Sequence, residues 1–293
     1  MPPTVHLVDA SPYIFRAYFS SPDTITDSQG RPVNAIYGFA SFLVRYLREH
    51  HPSHIAVAFD ESLTTSFRNE IYPPYKAQRE LPPPDLVDQL RSCKDVARAM
   101  GTAPFADLRF EADEIIATLI ERLRKEDCSF TIVSPDKDLA QLVNDRITLF
   151  DFAREARLGP LEVLEKFGVR PHQIPDLLGL AGDRVDNIPG VRGIGPKTAS
   201  VLLEAFPSLE EIYDHLDQVE SLPIRGAASL ARKLAAHRDE AVLSKALATV
   251  SREVPFEISL VEIEYGGPSR EMIEELFDRF GFDTLRDRVL ALA

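Results

Sequence analysis

Nine carboxylates stand where the chain could gather them for one chemistry: Asp9, Asp60, Glu111, Asp113, Glu114, Asp136, Asp138, Asp183 and Asp186. Four close or follow short apolar runs: "TVHLVD" ends at Asp9, "HIAVAFD" ends at Asp60, and "SFTIVSPDKD" carries Asp136 and Asp138. Glu111, Asp113 and Glu114 crowd "FEADEII", and Asp183 and Asp186 are three residues apart in "AGDRVD". A post-strand Asp also serves as a helix N-cap, and acids in a first helical turn gain from the helix dipole. Three strand ends closing on acids, one of them doubled, favour a shared site. An all-oxygen set without histidine or thiolate selects a hard cation, Mg²⁺ or Mn²⁺, over zinc. Nine acids are too many for direct ligation, so some act through water. Two such cations roughly 3.5–4 Å apart activate a water and stabilise the leaving oxygen of a phosphodiester.

Acids alone repel a phosphate, so the substrate needs cations. "SFRNEIYPPYKAQR" supplies Arg68, Tyr75, Lys76 and Arg79, cations interleaved with aromatics that suit a single-stranded backbone with unstacked bases. Lys76 is the candidate point charge on the scissile phosphate and Tyr75 the candidate stacking platform. Arg16, in "YIFRAYF" after Asp9, is a third catalytic candidate, while Tyr13, Phe15 and Phe19 beside it read as core. "GVRGIGPKTA" resembles a nucleotide-phosphate loop, but Pro196 separates Gly195 from Lys197 where that motif allows no insertion. Proline at the first helical position and glycines before it predict a turn and helix N-terminus that take a polymer phosphate. Gly190, Gly193, Gly195, Lys197 and Thr198 are the candidate contacts, irrespective of base sequence.

The elements that must position these residues follow from hydrophobic patterning. The apolar runs at Asp9, at Asp60 and before Asp136 read as strands buried on both faces of a parallel sheet, and a fourth run, "RITLFD", follows the third. "AIYGFASFLVRYLREH", "DLVDQLRSCKDVARAM" and "DEIIATLIERLRKE" read as intervening helices, an α/β pattern whose ligands gather at the carboxyl ends of the strands. Past about Phe167 short helices with Gly/Pro punctuation take over, which sets domains at 1–168 and 169–293. "NIPGVRGIGPKTA" reads as a helix, a tight turn and a second helix, a helix-hairpin-helix over about 183–205.

The chain has 293 residues and a net charge of −13. That charge alone argues against nucleic acid, but the nine site acids are part of 46, which leaves 37 against 33 Lys and Arg. Segment 225–245 is an island of positive charge, with Arg225, Arg232, Lys233, Arg238 and Lys245 against Asp239 and Glu240. Two separated cysteines and the absence of an apolar run near 18 residues suit a soluble, cytoplasmic protein without a membrane partner.

Taken in order, "LVDASPYIFRAYF", "FD" at 59–60, "SFRNEIYPPYKAQR", "EADEI", "PDKDLAQLV", "AGDRVDNIPGVRGIGPKTA" and "HRDEAVLSKALATV" resemble the bacterial and phage 5′-nuclease (flap endonuclease) family. The likeness is greatest to the N-terminal 5′→3′ exonuclease domain of DNA polymerase I, and it covers about residues 4 to 290. It implies a mostly parallel central sheet with flanking helices (a PIN-like core), a helical arch at about 66–90, and an α-helical helix-three-turn-helix domain that holds duplex DNA. It also implies a monomeric hydrolase of DNA with 5′ flaps, nicks or 5′ ends, and of RNA primers in RNA–DNA hybrids, in replication and repair. Mg²⁺, two per site and replaceable by Mn²⁺, and K⁺ in the hairpin are the implied cofactors. Eight of the nine acids match the family's metal set, and Tyr75, Lys76 and Arg79 match its arch. Glu114 stands where an aspartate is usual, one methylene longer. The alternatives are a flap-DNA-binding protein with weak or no cleavage and a metal-dependent RNase. The chain reads equally as a free-standing nuclease or an excised domain.

Overall fold

The computed structural model describes residues 2–62, 65–222 and 226–292. Its residues cluster into two units: Met1–Ser66, Glu80–Pro135 and Ser251–Ala293 form the first, and Phe67–Arg79 with Asp136–Val250 form the second.

In the first unit, β1 (Thr4–Asp9), β2 (His54–Asp60), β3 (Ala103–Asp107) and β4 (Ser129–Val133) pair in parallel in the order β3-β2-β1-β4. β1, β2 and β4 are the expected strands, and their near-continuous burial is what helices on both faces of a parallel sheet require. β3 escapes the sequence pattern: "APFAD" is five residues with a proline and only partial burial. Helices Ser11–Ser20, Asn34–His50, Pro84–Ala99 and Ala112–Leu123 make the crossovers, and the last three correspond to the expected helical patterns. Register puts Asp9 opposite Ala58 and Asp60 opposite Asp107, so both strand-end acids lie at the carboxyl edge. Of the three aromatics expected in the core, Tyr13 is buried and stacked on Phe42 at 3.8 Å between centroids, but Phe19 is 74% exposed. Phe19 is the next-to-last residue of its helix, where the apolar stripe has run past the core.

In the second unit, β5 (Ile147–Asp151) and β6 (Ala156–Leu158) form an antiparallel hairpin. From Pro160 onward the described residues are helices and turns, led by Ile174–Ala181 packed on Arg238–Ala248. Gly179 permits that packing, because a Cβ there would lie 3.0 Å from Lys245 Cβ. The expected hairpin is corrected at its first helix. No helix runs through Asn187–Gly190; the helix before the turn is Ile174–Ala181, upstream of Asp183, and the second is Pro196–Ala205, as expected. Asp183 and Ile188 instead exchange both backbone hydrogen bonds at 2.9 and 2.7 Å, which closes a tight loop.

Candidate active site

The first unit arranges its acids through local backbone needs. Asp9, 4% exposed at the end of β1, accepts the Ser134 hydroxyl at 2.7 Å, which fixes the carboxylate beside the end of β4. Asp60 Oδ1 accepts the Ala112 N–H at 2.7 Å and so satisfies an open amide of the Ala112–Leu123 helix. Glu111 is the N-cap of that helix, and Glu114 reaches back to the Glu111 N–H at 3.1 Å, a reciprocal capping box. This is the local reason for a glutamate at 114: the third helical position of such a box favours the longer acid. Glu114 is fully buried, and Asp113, one residue earlier, is half-buried. Arg16 is exposed, with its guanidinium 5.3 Å from the Tyr13 ring centroid.

The second unit collects acids and bases together. Asp183, 6% exposed, receives the Lys137 ammonium at 2.6 Å and the Val185 N–H at 2.7 Å. Burial would raise its pKa, but the Lys137 bond and the Val185 amide hold it below the usual carboxylate range. Asp186 is gripped by one short segment: Tyr75 donates its hydroxyl at 3.3 Å, Lys76 Nζ stands at 3.8 Å, and Arg79 forms an ion pair. The Lys76 N–H donates to the Asp186 carbonyl at 3.0 Å, from a left-handed backbone with φ of 52°. Asn187 and Gln78 tie the same two segments through the Pro74 and Val185 carbonyls at 2.7 and 2.8 Å.

Asp136 accepts the Asp138 N–H at 2.9 Å, and burial raises the Asp136 carboxyl above its ordinary value. Burial, then the neighbouring Asp136 charge, pushes Asp138 up to about 7. Asp138 Oδ1 is out of solvent and has no hydrogen-bond partner among the described residues. Among the described residues no three His, Cys, Asp or Glu side chains close on one point at ligating distance.

Two candidate DNA contacts turn out to be interior. Arg68 is 3% exposed, and its Nε donates to the Leu247 carbonyl at 2.7 Å, so this cation serves the fold rather than a phosphate. Tyr75 is equally buried, with Arg68 and Lys76 against its ring at 5.5 and 5.0 Å, so no face is open for a base to stack on. The Gly190 amide, expected to meet a phosphate, donates to the buried Ser244 hydroxyl at 2.9 Å. Glycine is needed there twice over: φ is 63°, and a Cβ would lie 2.3 Å from Gly182 N. Gly193, Gly195 and Lys197 are exposed and Thr198 is half-buried. Lys233 Nζ would stand 3.2 Å from a Cβ on Gly193, which brings one cation of the positive island to the turn. Arg225 of that island lies outside the described residues. Lys137, Ser134 and Gln141 are the residues sequence reasoning missed; a lysine set between two acids was the one available signal.

A parallel sheet with acids at its carboxyl edge in one unit, and a helical unit with a hairpin, define a class: an α/β core followed by a helical module. The family assignment follows from two matches. Residues 4–168 match the 5′-3′ exonuclease N-terminal resolvase-like domain, and residues 169–271 match the 5′-3′ exonuclease C-terminal SAM fold. The chain belongs to the 5′-3′ exonuclease family. It is 37% identical over 287 residues to DNA polymerase I of Bacillus subtilis, covering 97% of this chain and 32% of that one. It is 40% identical over 285 residues to DNA polymerase I of Pseudomonas aeruginosa, covering 97% and 31%. The chain thus spans about a third of the length of these curated relatives. Its fold matches a T5 5′-exonuclease with divalent zinc ions bound, at a TM-score of 0.68 and 18% identity, over 99% of each chain. It also matches the catalytic core of Rad2 in complex with DNA substrate, at a TM-score of 0.63 and 16% identity, over 100% of this chain and 93% of that one. Among the described residues no helix is long and apolar enough to cross a membrane.

Proposed function

We propose that this chain is a structure-specific 5′→3′ exonuclease and 5′-flap endonuclease that hydrolyses phosphodiester bonds with divalent cations. The observation that carries the reading lies in the second unit. Lys76 and Arg79, two cations fit for a phosphate, rest on Asp186, while Asp138 holds a buried oxygen with nothing on it. The donor set fits a hard divalent cation. Lys137 on Asp183 is a monovalent stand-in, and an Asp138 pKa near 7 marks a negative charge short of compensation.

In this reading Asp9, Asp60, Glu111, Asp113, Asp136, Asp138, Asp183 and Asp186 would hold Mg²⁺, with Mn²⁺ as substitute and two ions as the complement. The chemistry such ions would supply is a water of lowered pKa and positive charge for the leaving oxygen. Glu114 serves by holding Glu111 in place through the capping box. Lys76 neutralises the scissile phosphate, and Arg79 and Arg16 hold its flanks. Gly193, Gly195, Lys197 and Thr198, with Lys233, grip the duplex backbone, with K⁺ at the same turn. Residues 1–168 act as the nuclease core and 169–293 as the DNA-holding domain. The substrate is DNA with a 5′ flap, nick or 5′ end, or an RNA–DNA hybrid, met by a monomer in the cytoplasm during replication and repair.

The relatives' family, the zinc-bearing T5 enzyme and the DNA-bearing Rad2 core support this reading. The deciding experiment incubates a labelled 5′-flap duplex with the protein in Mg²⁺ and in EDTA. Cleavage near the junction with the metal alone is the expected result. Binding without cleavage would make the chain a flap-DNA binder, and preference for unstructured RNA would make it an RNase.

A further inference from the structure

Three separate segments of the second unit are fastened to one helix, Arg238–Ala248. The last carbonyls of a helix have no partner within it and sit at the negative end of its dipole, so they attract side-chain donors. Here Arg68, in the segment that carries Tyr75 and Lys76, donates through Nε to the Leu247 carbonyl at 2.7 Å. Gln141, three residues past Asp138, donates through Nε2 to the Ala248 carbonyl at 3.0 Å and to the Asp138 carbonyl at 2.9 Å. The other end of the same amide is used as well: Gln141 Oε1 accepts the Val250 N–H at 3.0 Å. One turn earlier Ser244, fully buried, takes the Gly190 N–H at 2.9 Å.

We infer that the C-terminal end of the Arg238–Ala248 helix is the common anchor that sets the Lys76 segment and the Asp136–Asp138 turn in register, with Arg68 and Gln141 as the positioning residues. The inference deepens the nuclease reading and rests on it. Neither residue touches substrate in this scheme. Arg68 acts through the Tyr75–Lys76 turn, which its guanidinium also braces against the Tyr75 ring at 5.5 Å. Gln141 acts through the Asp138 main chain, and its amide uses donor and acceptor together, which neither glutamate nor methionine can copy. Through Ser244 the helix also holds the start of the hairpin turn, so the segments with the candidate phosphate cations, the acids and the hairpin share one support. Small displacements of such supports show in turnover more than in binding.

The test compares Gln141→Met, Arg68→Lys and their double variant with Val163→Ala, a cavity variant in the Pro160–Phe167 helix, which makes none of these bonds. On the flap duplex each anchor variant should lose about tenfold or more in kcat with KM within about twofold. The double variant should lose less than the product of the two single losses, because both act on one anchor. Val163→Ala should lower the melting temperature and leave kcat alone. In the metal-free chain, hydrogen exchange should quicken at the Val250 amide in Gln141→Met and at the Lys76 amide in Arg68→Lys, but at neither in Val163→Ala. Losses confined to KM, losses that track melting temperature across all variants, or unchanged exchange would each overturn the anchor. If the unmodified chain cleaves no flap, the nuclease reading fails, and the exchange arm still decides whether the anchor exists.

Discussion

Replacing Lys137 by methionine tests whether a protein cation holds the place of a metal. Its ammonium lies 2.6 Å from Asp183, whose side chain is 5% exposed while that of Lys137 is 49% exposed. Removing one partner of a fully buried pair costs about 3–5 kcal/mol, and an exposed pair contributes about 0.2–1 kcal/mol. Lys137 is half in water, and Asp183 keeps the Val185 N–H at 2.7 Å, so a loss of about 1–2 kcal/mol is expected in EDTA. For a chain of this size that lowers the melting temperature by about 2–6 °C. Divalent ions should then reverse the order. A ligand at a hundredfold its Kd stabilises by about 2.7 kcal/mol, and each tenfold gain in affinity adds about 1.4 kcal/mol. With its competitor gone, Asp183 should bind the ion more tightly, so Mg²⁺ raises the melting temperature of Lys137→Met by more than that of the unmodified chain. Calorimetry in EDTA and over a Mg²⁺ series reads both effects. Equal Mg²⁺-induced rises in the two proteins would refute the idea that Lys137 and a divalent ion compete for Asp183.

Asp136→Asn should reduce kcat on the flap substrate by about 10²–10³-fold while duplex affinity, measured by fluorescence anisotropy in EDTA, stays within about twofold; retained turnover removes Asp136 from the metal set. Lys76→Ala should lower kcat about a hundredfold with little change in KM, because its charge is needed where negative charge develops; steady-state kinetics showing a change in KM alone would reduce Lys76 to steering. Glu114→Asp should destabilise by about 1 kcal/mol, read as urea midpoint, because the shorter side chain no longer reaches the Glu111 N–H. An unchanged midpoint would mean that the capping box adds no stability.

The parallel strands were legible because burial on both faces leaves an unbroken apolar run, and β1, β2 and β4 all carry one. β3 was not, since Pro104 and partial burial remove the run that would announce it. The acids were grouped by residue type and, for Asp9, Asp60, Asp136 and Asp138, by their place at or just past strand ends, and among the described residues no three of them close on one point. Their individual duties were not legible. Glu114 reads identically as ligand or cap until its oxygen is seen on the Glu111 amide. Arg68 failed for a different reason: a charged residue in a basic segment reads as surface, and only a carbonyl 179 residues further along the chain explains its burial. Gly190 was singled out as a phosphate contact, yet its amide is taken by Ser244, 54 residues away. Local pattern reports what a residue can do, and long-range partners decide what it does.

That distinction bears on how an acidic chain could hold an anionic polymer, as proposed. A net charge of −13 would repel DNA if the acids lay bare. Two of the candidate site acids in the second unit do not. Tyr75, Lys76 and Arg79 cover Asp186, and Lys137 covers Asp183, so much of the local negative charge is already matched by fixed donors. The exception is Asp138, which burial and the neighbouring Asp136 charge lift to about 7 and whose Oδ1 has no hydrogen-bond partner among the described residues. A buried carboxylate in that state gains from a nearby cation. In the proposed scheme this uneven compensation separates two tasks: Asp183 and Asp186 would position the basic segment for phosphate, and Asp138 is where divalent charge would have most to neutralise.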